Sequence, residues 1–142
     1  MFDDDFELPD DLAAMADQAA SALANMGEEY AADACNDADR LLGFAEKAHK
    51  AADEQALLAE MTEMFSIAHN FKGQGLTFGY DLVTLFGEAL CELTRPQNNP
   101  SRENVPQAVK LAAALHTILH QRLSGDGGTT GAALREELGL VA

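Results

Sequence analysis

A histidine and a lysine one helical turn apart carry the clearest potential for chemistry in this chain. His69 and Lys72 lie in the segment 54–78, which is rich in good helix formers. Neutral imidazole is a good nucleophile near pH 7, and a nearby ammonium stabilises an anion that becomes attached to the ring. The pair could therefore accept and hold a phosphoryl group. The same spacing also fits an exposed histidine beside an unrelated lysine, because polar residues three apart are common on helices.

Helical geometry predicts which way His69 points. Each residue of an α-helix advances by about 100°, and on this wheel one stripe of segment 54–78 is apolar and expected to face a core. The stripe consists of Leu57, Met61, Met64, Ala68 and Phe71. His69 falls on a different side, together with Thr62, Ser66, Lys72 and Gly73. We therefore expect His69 to face solvent, with little side-chain bulk beside it at Gly73.

Three large apolar residues share the side of His69. Leu58, Phe65 and Leu76 bracket the histidine along the helix, and Ser66 lies among them. They are either the rim of a bundle core or, with Ser66, an exposed docking patch for a partner. The sequence leaves both interpretations open.

The elements that must position these side chains are all predicted to be helices. Apolar periodicity, capping residues and breakers predict helices at 10–26, 28–50, 54–78, 80–94, 101–123 and 132–138, with Gly27 ending the first. Helices joined by short loops indicate an all-α fold, an antiparallel four-helix bundle with an additional N-terminal helix and a short C-terminal helix. We expect one domain of residues 1–142. It comprises an N-terminal extension (1–27), the bundle (28–124), and a loop with the short C-terminal helix (125–142).

A longer string around the histidine is similar to a known signature. The segment reads Ala68-His69-Asn70-Phe71-Lys72-Gly73-Gln74-Gly75-Leu76-Thr77-Phe78-Gly79. It resembles the signature of the histidine-containing phosphotransfer (HPt) family, His-x-x-Lys-Gly followed six residues later by Gly. Its Thr-Phe-Gly ending is similar to the phosphotransfer domain of chemotaxis histidine kinases. The resemblance extends through the amphipathic segment 82–93. The rest of the chain resembles the family only in being helical.

The resemblance implies a role for four residues. His69 would be the phospho-accepting residue, and Lys72 would help to hold the phosphoryl group. Gly73 would leave space for the active site of a partner, and Gly79 would serve the turn between two bundle helices. The resemblance thus implies a phosphohistidine protein without a kinase domain.

Two positions depart from the family pattern. In chemotaxis kinases a glutamate on the neighbouring helix orients the histidine, whereas this chain has Cys91 at that spacing and Glu88 one turn earlier. Glu88 is therefore only a candidate for orienting the His69 ring. Gln74 is larger than the residues often found there. Its amide could reach the phosphoryl region if the helix bends at the glycines.

The resemblance also implies the partners. A stand-alone HPt protein exchanges its phosphoryl group with receiver domains of response regulators and ultimately with a histidine kinase, which this analogy expects to be a hybrid one. The receiver would supply the aspartate and Mg²⁺, so this chain is expected to bind no cofactor itself. One alternative is a phosphotransfer module phosphorylated directly by a separate chemotaxis-type kinase domain. Another is a non-catalytic adaptor that binds through Leu58, Phe65 and Leu76.

Composition argues against several other functions. The formal net charge is -15, which disfavours nucleic acid and anionic membrane surfaces as partners. The N-terminus is acidic rather than basic, and no apolar run reaches the ~20 residues of a transmembrane helix, so we expect a cytoplasmic protein. His116 and His120 have the i,i+4 spacing of metal ligands, but no third ligand lies nearby in sequence. They are therefore interpreted as part of a polar helix face, and no metal site is expected.

Overall fold

The computed structural model describes residues 10–140, so the acidic segment 1–9 lies outside it, as do residues 141 and 142. The described part contains five α-helices and no strand, which confirms the predicted all-α class. The helices are α1 (Asp10–His49), α2 (Glu54–Gln74), α3 (Asp81–Thr94), α4 (Val105–His120) and α5 (Gly128–Glu137). None of them is both long enough and apolar enough to cross a membrane.

The first four helices form a closed bundle. Each packs against the next, and α1 also packs against α4, so the ring is complete. Because short connections join successive helices, neighbours run antiparallel. The core is built from the buried faces of all four helices, with Leu41, Met61, Phe71, Phe86 and Leu115 among its fully buried side chains. The short α5 lies against α4, where the Gln107 side-chain amide donates to the carbonyl of Leu138 at 3.3 Å.

The predicted break at Gly27 is wrong, because α1 runs without interruption from Asp10 to His49. A glycine inside a helix costs only about 1 kcal/mol, which neighbouring turns can outweigh. Gly27 instead lies against the turn after α2, where a Cβ atom would come within 3.2 Å of the Phe78 carbonyl oxygen. The predicted additional N-terminal helix is thus the first half of α1. No residue of 10–29 is buried.

The predicted extension of α2 to Phe78 is also wrong. The helix starts as expected, with the Asp53 carboxylate accepting from the Ala56 amide at 2.7 Å, but it ends at Gln74. Gly75 then lies so close to the start of α3 that a Cβ there would be 2.7 Å from the Thr84 amide nitrogen. After this close approach the chain forms a 3-10 turn, Leu76–Phe78. Gly79 completes the turn at φ 87°, a conformation that favours glycine.

The remaining helices begin or end within a few residues of the predicted positions. The segment predicted as one helix from Ser101 starts with a 3-10 turn, Arg102–Asn104, before α4 begins at Val105. The Asn104 side chain accepts from the Ser101 amide at 2.8 Å and so satisfies the backbone at this start. Helix α5 begins at Gly128, four residues earlier than predicted.

Tyr30 anchors the middle of α1 to the turn after α2. Its ring stacks on Phe78 with centroids 4.7 Å apart, and its hydroxyl is buried without a hydrogen-bond partner among residues 10–140. Burial raises the pKa of Tyr30 to about 12. We expect Tyr30→Phe to raise the free energy of unfolding by about 1 kcal/mol in urea denaturation, because it removes an unsatisfied polar group and keeps the ring. Reduced stability would show that the hydroxyl makes a favourable hydrogen bond.

Candidate functional site

His69 lies on the exposed side of α2, as its position on the helical wheel predicts. All five residues of the predicted core stripe are buried, whereas His69, Ser66 and Gly73 are exposed. Within the described part of the chain, the His69 ring makes no hydrogen bond to another residue. Its ring nitrogens are therefore accessible to an approaching electrophile.

Lys72 is the cation nearest to His69 along the helix. It is partly buried, and residues 10–140 supply no carboxylate within ion-pair distance of its ammonium. It lies near the Cys91 thiol on α3. Burial raises the pKa of this thiol, and the positive charge of Lys72 offsets part of that rise. The ammonium is therefore available to an anion attached to His69.

Gly87 of α3 lets the two helices approach closely behind the histidine. A Cβ atom at this position would be 2.9 Å from the backbone nitrogen of Lys72 and 3.2 Å from the carbonyl oxygen of Ala68. Both atoms belong to the turn of α2 that carries His69 and Lys72. The sequence alone does not reveal the role of Gly87, because only the packing of α3 on α2 distinguishes it from a tolerated helix glycine.

Thr84 of α3 forms hydrogen bonds to the end of this turn of α2. Its hydroxyl accepts from the Leu76 amide at 2.8 Å and donates to the Lys72 carbonyl at 3.3 Å. One side chain of α3 thus holds both the last turn of α2 and the 3-10 turn that follows. This fixes the backbone on the C-terminal side of His69.

The space beside Gly73 is open. Apart from its chain neighbours and the backbone of its own helix, a Cβ atom there would meet no atom within 4 Å, in contrast to Gly75 and Gly87. Gly73 is therefore not required by internal packing. Its lack of a side chain leaves the surface next to His69 free for an incoming molecule.

The apolar residues around His69 divide between the two predicted interpretations. Leu76 is 62% exposed and Leu58 is 39% exposed, whereas Phe65 is partly buried and packs on the core. Leu58 is eleven residues from His69, about 16 Å along the helix axis, and so lies at the margin of any patch centred on the histidine. Leu76 and Ser66 fit an exposed docking surface best.

Phe65 connects the histidine to a second cation. Its ring centroid lies 5.9 Å from that of His69, and the Arg95 guanidinium carbon lies 5.5 Å from the Phe65 centroid. Arg95 also pairs with Glu92 at 2.9 Å. Arg95 follows the end of α3, and no spacing in the sequence relates it to His69, so it could not be predicted from the sequence.

The two candidates for orienting or contacting the phosphoryl group are not engaged with the histidine. Glu88 is exposed and makes no hydrogen bond to the His69 ring, so its orienting role stays a prediction. Gln74 lies in a groove between α1 and α2, which is also lined by Tyr30, Asp33 and Phe71. The structure thus places Gln74 toward α1 rather than beside His69.

A carboxylate lies close to the histidine pair of α4. No third ligand lies near His116 and His120 in the sequence, but in the fold Asp39 of α1 contacts both. This cluster is the one group of three or more potential metal ligands found among residues 10–140. It lies on the α1/α4 seam and not beside His69.

No protein-family model, curated protein sequence or solved structure matches this chain. The chemistry of the His69 site is that of an accessible nucleophilic ring, a nearby cation without an ion pair in the described part of the chain, and an open approach over Gly73.

Proposed function

We propose that this protein is a cytoplasmic histidine phosphotransfer protein, which carries a phosphoryl group on His69 between receiver domains of a two-component phosphorelay. The observation that carries the proposal is the single surface shared by exposed His69, Lys72 without an ion pair among residues 10–140, and the open space at Gly73. Nucleophile, charge stabilisation and access for a large partner thus occur on one turn of one helix.

The transfer itself needs little from this chain beyond positioning. The unprotonated ring nitrogen of His69 attacks the phosphorus of an aspartyl phosphate on the receiver, forming an N–P bond as the P–O bond to aspartate breaks. The ring proton stays on the other nitrogen, and the aspartate leaves as a carboxylate. The receiver supplies Mg²⁺ in this scheme, and the reverse reaction passes the group to a second receiver.

Lys72 and the rigid backbone support this chemistry. The ammonium lies one turn after the nucleophile and can pair with the phosphoryl oxygens once they are attached. Gly87 and Thr84 hold the backbone of the same turn against α3, so the histidine is displayed from a fixed element. A preorganised nucleophile and charge reduce the reorganisation needed during transfer.

Transfer from phosphorylated receiver domains of the same cell tests the proposal. The purified protein is incubated with each radiolabelled receiver, and acid-labile label on this chain is measured. Label from at least one receiver is expected. If no receiver but a kinase domain with ATP labels the chain, the protein is instead the substrate module of that kinase, and failure of both donors would overturn phosphotransfer altogether.

Filling the space at Gly73 should slow transfer without unfolding the protein. We expect Gly73→Gln to reduce the initial rate of labelling by a receiver about tenfold or more, because the side chain occupies the surface that a partner must reach. Thermal denaturation should show a stable fold, since no atom lies within 4 Å of the new Cβ.

Gly43→Gln is the matched control for this substitution. Gly43 is also an exposed glycine within a helix, and its added Cβ would likewise meet no atom within 4 Å. It lies on α1, away from His69, so its labelling rate should equal that of the wild type. Equal labelling rates for the two variants would show that Gly73 does not lie on the surface that contacts the partner.

A further inference from the structure

Two histidines and an aspartate converge on the seam between α1 and α4. The Nε2 atoms of His116 and His120 each lie 2.9 Å from the same oxygen, Oδ1 of Asp39. The two imidazole rings stack with centroids 4.0 Å apart. One potential ligand atom from each of the three residues lies within 4.8 Å of the other two. The cluster therefore offers three ligand atoms around a common point.

We propose that Asp39, His116 and His120 form a binding site for one divalent transition-metal ion, with Zn²⁺ as the reference ion, that links α1 to α4. Two imidazoles and one carboxylate form a ligand set typical of zinc sites with an open fourth position. Imidazole nitrogens favour zinc, cobalt, nickel and copper over the hard ions Mg²⁺ and Ca²⁺, which prefer oxygen. The site is separate from the proposed phosphotransfer surface.

The spacing of the ligand atoms suits such an ion after a small adjustment. Zinc bonds of about 2.0 to 2.2 Å in a tetrahedral site place ligand atoms roughly 3.3 Å from one another. The two nitrogen to oxygen distances of 2.9 Å would have to lengthen by a few tenths of an ångström. All three side chains are partly exposed, at 55% for Asp39, 32% for His116 and 41% for His120, so they are free to make this movement.

Without a metal, the three side chains can hydrogen-bond to one another, and these hydrogen bonds hold the potential ligands close together. If each neutral histidine carries its proton on Nε2, both rings donate to the Asp39 carboxylate. Metal binding requires the proton on Nδ1 instead, so that both Nε2 lone pairs face the ion. This change needs no movement of the helices, because the partly exposed rings can exchange protons with water.

The surroundings favour a cation over an anion. Within residues 10–140, the only basic groups within ion-pair distance of the Asp39 carboxylate are the two histidines. The neighbouring Arg40 is turned toward Asp37, to which it pairs at 3.0 Å. The formal net charge of -15 raises the local concentration of divalent cations around the whole molecule.

The position of the site predicts a structural effect on α1. The α1/α4 seam is opposite the α2/α3 seam that displays His69, because the four helices form a ring. A bound ion would join α1 to α4 at Asp39. Asp39 lies on the part of α1 that packs in the bundle, C-terminal to the segment 10–29, in which no residue is buried. The ion would therefore stabilise the attachment of the long helix without entering the phosphotransfer site.

Zinc titration of the full chain tests this proposal. Isothermal titration calorimetry with ZnCl₂ on chelator-treated protein should show one saturable site per chain, and Zn²⁺ should raise the thermal denaturation midpoint. His120→Ala and Asp39→Asn should each weaken Zn²⁺ binding at least ~10-fold. Mutating a residue that only orients a metal ligand already lowers metal affinity by about 10-fold or more, and these variants change the ligands themselves. Co²⁺ should give the visible absorption of a tetrahedral site in the wild type and in neither of these two variants.

His49→Ala is the control, because His49 is an exposed histidine of α1 outside the cluster. It should bind Zn²⁺ as the wild type does. The proposal is overturned if the wild type shows no saturable binding, or if the two cluster variants bind as tightly as the control, which would indicate nonspecific binding by the acidic surface. All variants retain His69, so receiver labelling measured in parallel reports on the phosphotransfer proposal independently.

Discussion

His69→Gln is expected to abolish acid-labile labelling by every receiver domain that labels the wild type. Glutamine keeps a polar, hydrogen-bonding side chain but has no nucleophilic nitrogen, so no N–P bond can form. The substitution lies on the exposed side of α2 and removes no hydrogen bond within residues 10–140. Urea denaturation should therefore give the wild-type midpoint within error. The complete loss of label with an intact fold is the largest functional effect predicted for this chain.

The other histidines provide the control. His49 is exposed on α1, and its replacement by glutamine should leave labelling unchanged. Labelling that persists in His69→Gln and disappears in a His116 or His120 variant would move the phosphorylation site to α4 and contradict the proposal.

A graded effect is expected at Lys72. Lys72→Ala should lower the labelling rate about tenfold, the loss of one charge-assisted interaction worth ~1.5 kcal/mol, while Lys72→Arg retains most of the rate. Wild-type rates for Lys72→Ala would mean that the ammonium does not contact the phosphoryl group.

Gly87→Ala is expected to destabilise the protein, although helix propensity alone predicts the opposite. Alanine is favoured over glycine inside a helix by about 1 kcal/mol. The new methyl group would lie 2.9 Å from the backbone nitrogen of Lys72, and backbone cannot move aside as a flexible side chain can. Overpacking of this kind costs about 1 to 3 kcal/mol, so we expect a net loss of up to about 2 kcal/mol in urea denaturation. Labelling of His69 should also slow, because α2 is displaced at the turn that carries it.

Gly43→Ala makes the same chemical change where there is space. Gly43 lies inside α1, and a Cβ there would meet no atom within 4 Å. It should raise the free energy of unfolding by about 0.5 to 1 kcal/mol through helix propensity and reduced freedom of the unfolded chain. If both alanine variants were stabilised equally, the close crossing of α2 and α3 at Gly87 would be wrong.

Local patterns were sufficient for the helical character of the chain and for the direction in which α2 faces, but not for every helix boundary. The stripe from Leu57 to Phe71 is buried and His69 is exposed, because both follow from the 3.6-residue period. The Asp53 cap could likewise be predicted from the chain, since its carboxylate binds an amide only three residues away. The sequence by itself therefore determined the all-α class and the candidate nucleophile with its adjacent cation and glycine.

Only the tertiary structure decided how the glycines are used. Gly27, Gly75 and Gly87 are equivalent in a helical pattern, yet they lie against Phe78, Thr84 and Lys72. Gly27 therefore does not end a helix, whereas Gly75 marks the place where α2 must stop. Such outcomes depend on contacts between distant turns, which outweigh a propensity difference of about 1 kcal/mol.

The tertiary structure also decided which distant side chains share a site. Asp39 meets His116 and His120 across 77 and 81 residues, and Arg95 reaches the ring of Phe65 from the end of α3. Periodicity specifies which face of a helix is apolar, but not which residue of another helix lies opposite it. That pairing depends on the order, separation and rotation of the packed helices, and these are set by the fit of side chains throughout the core.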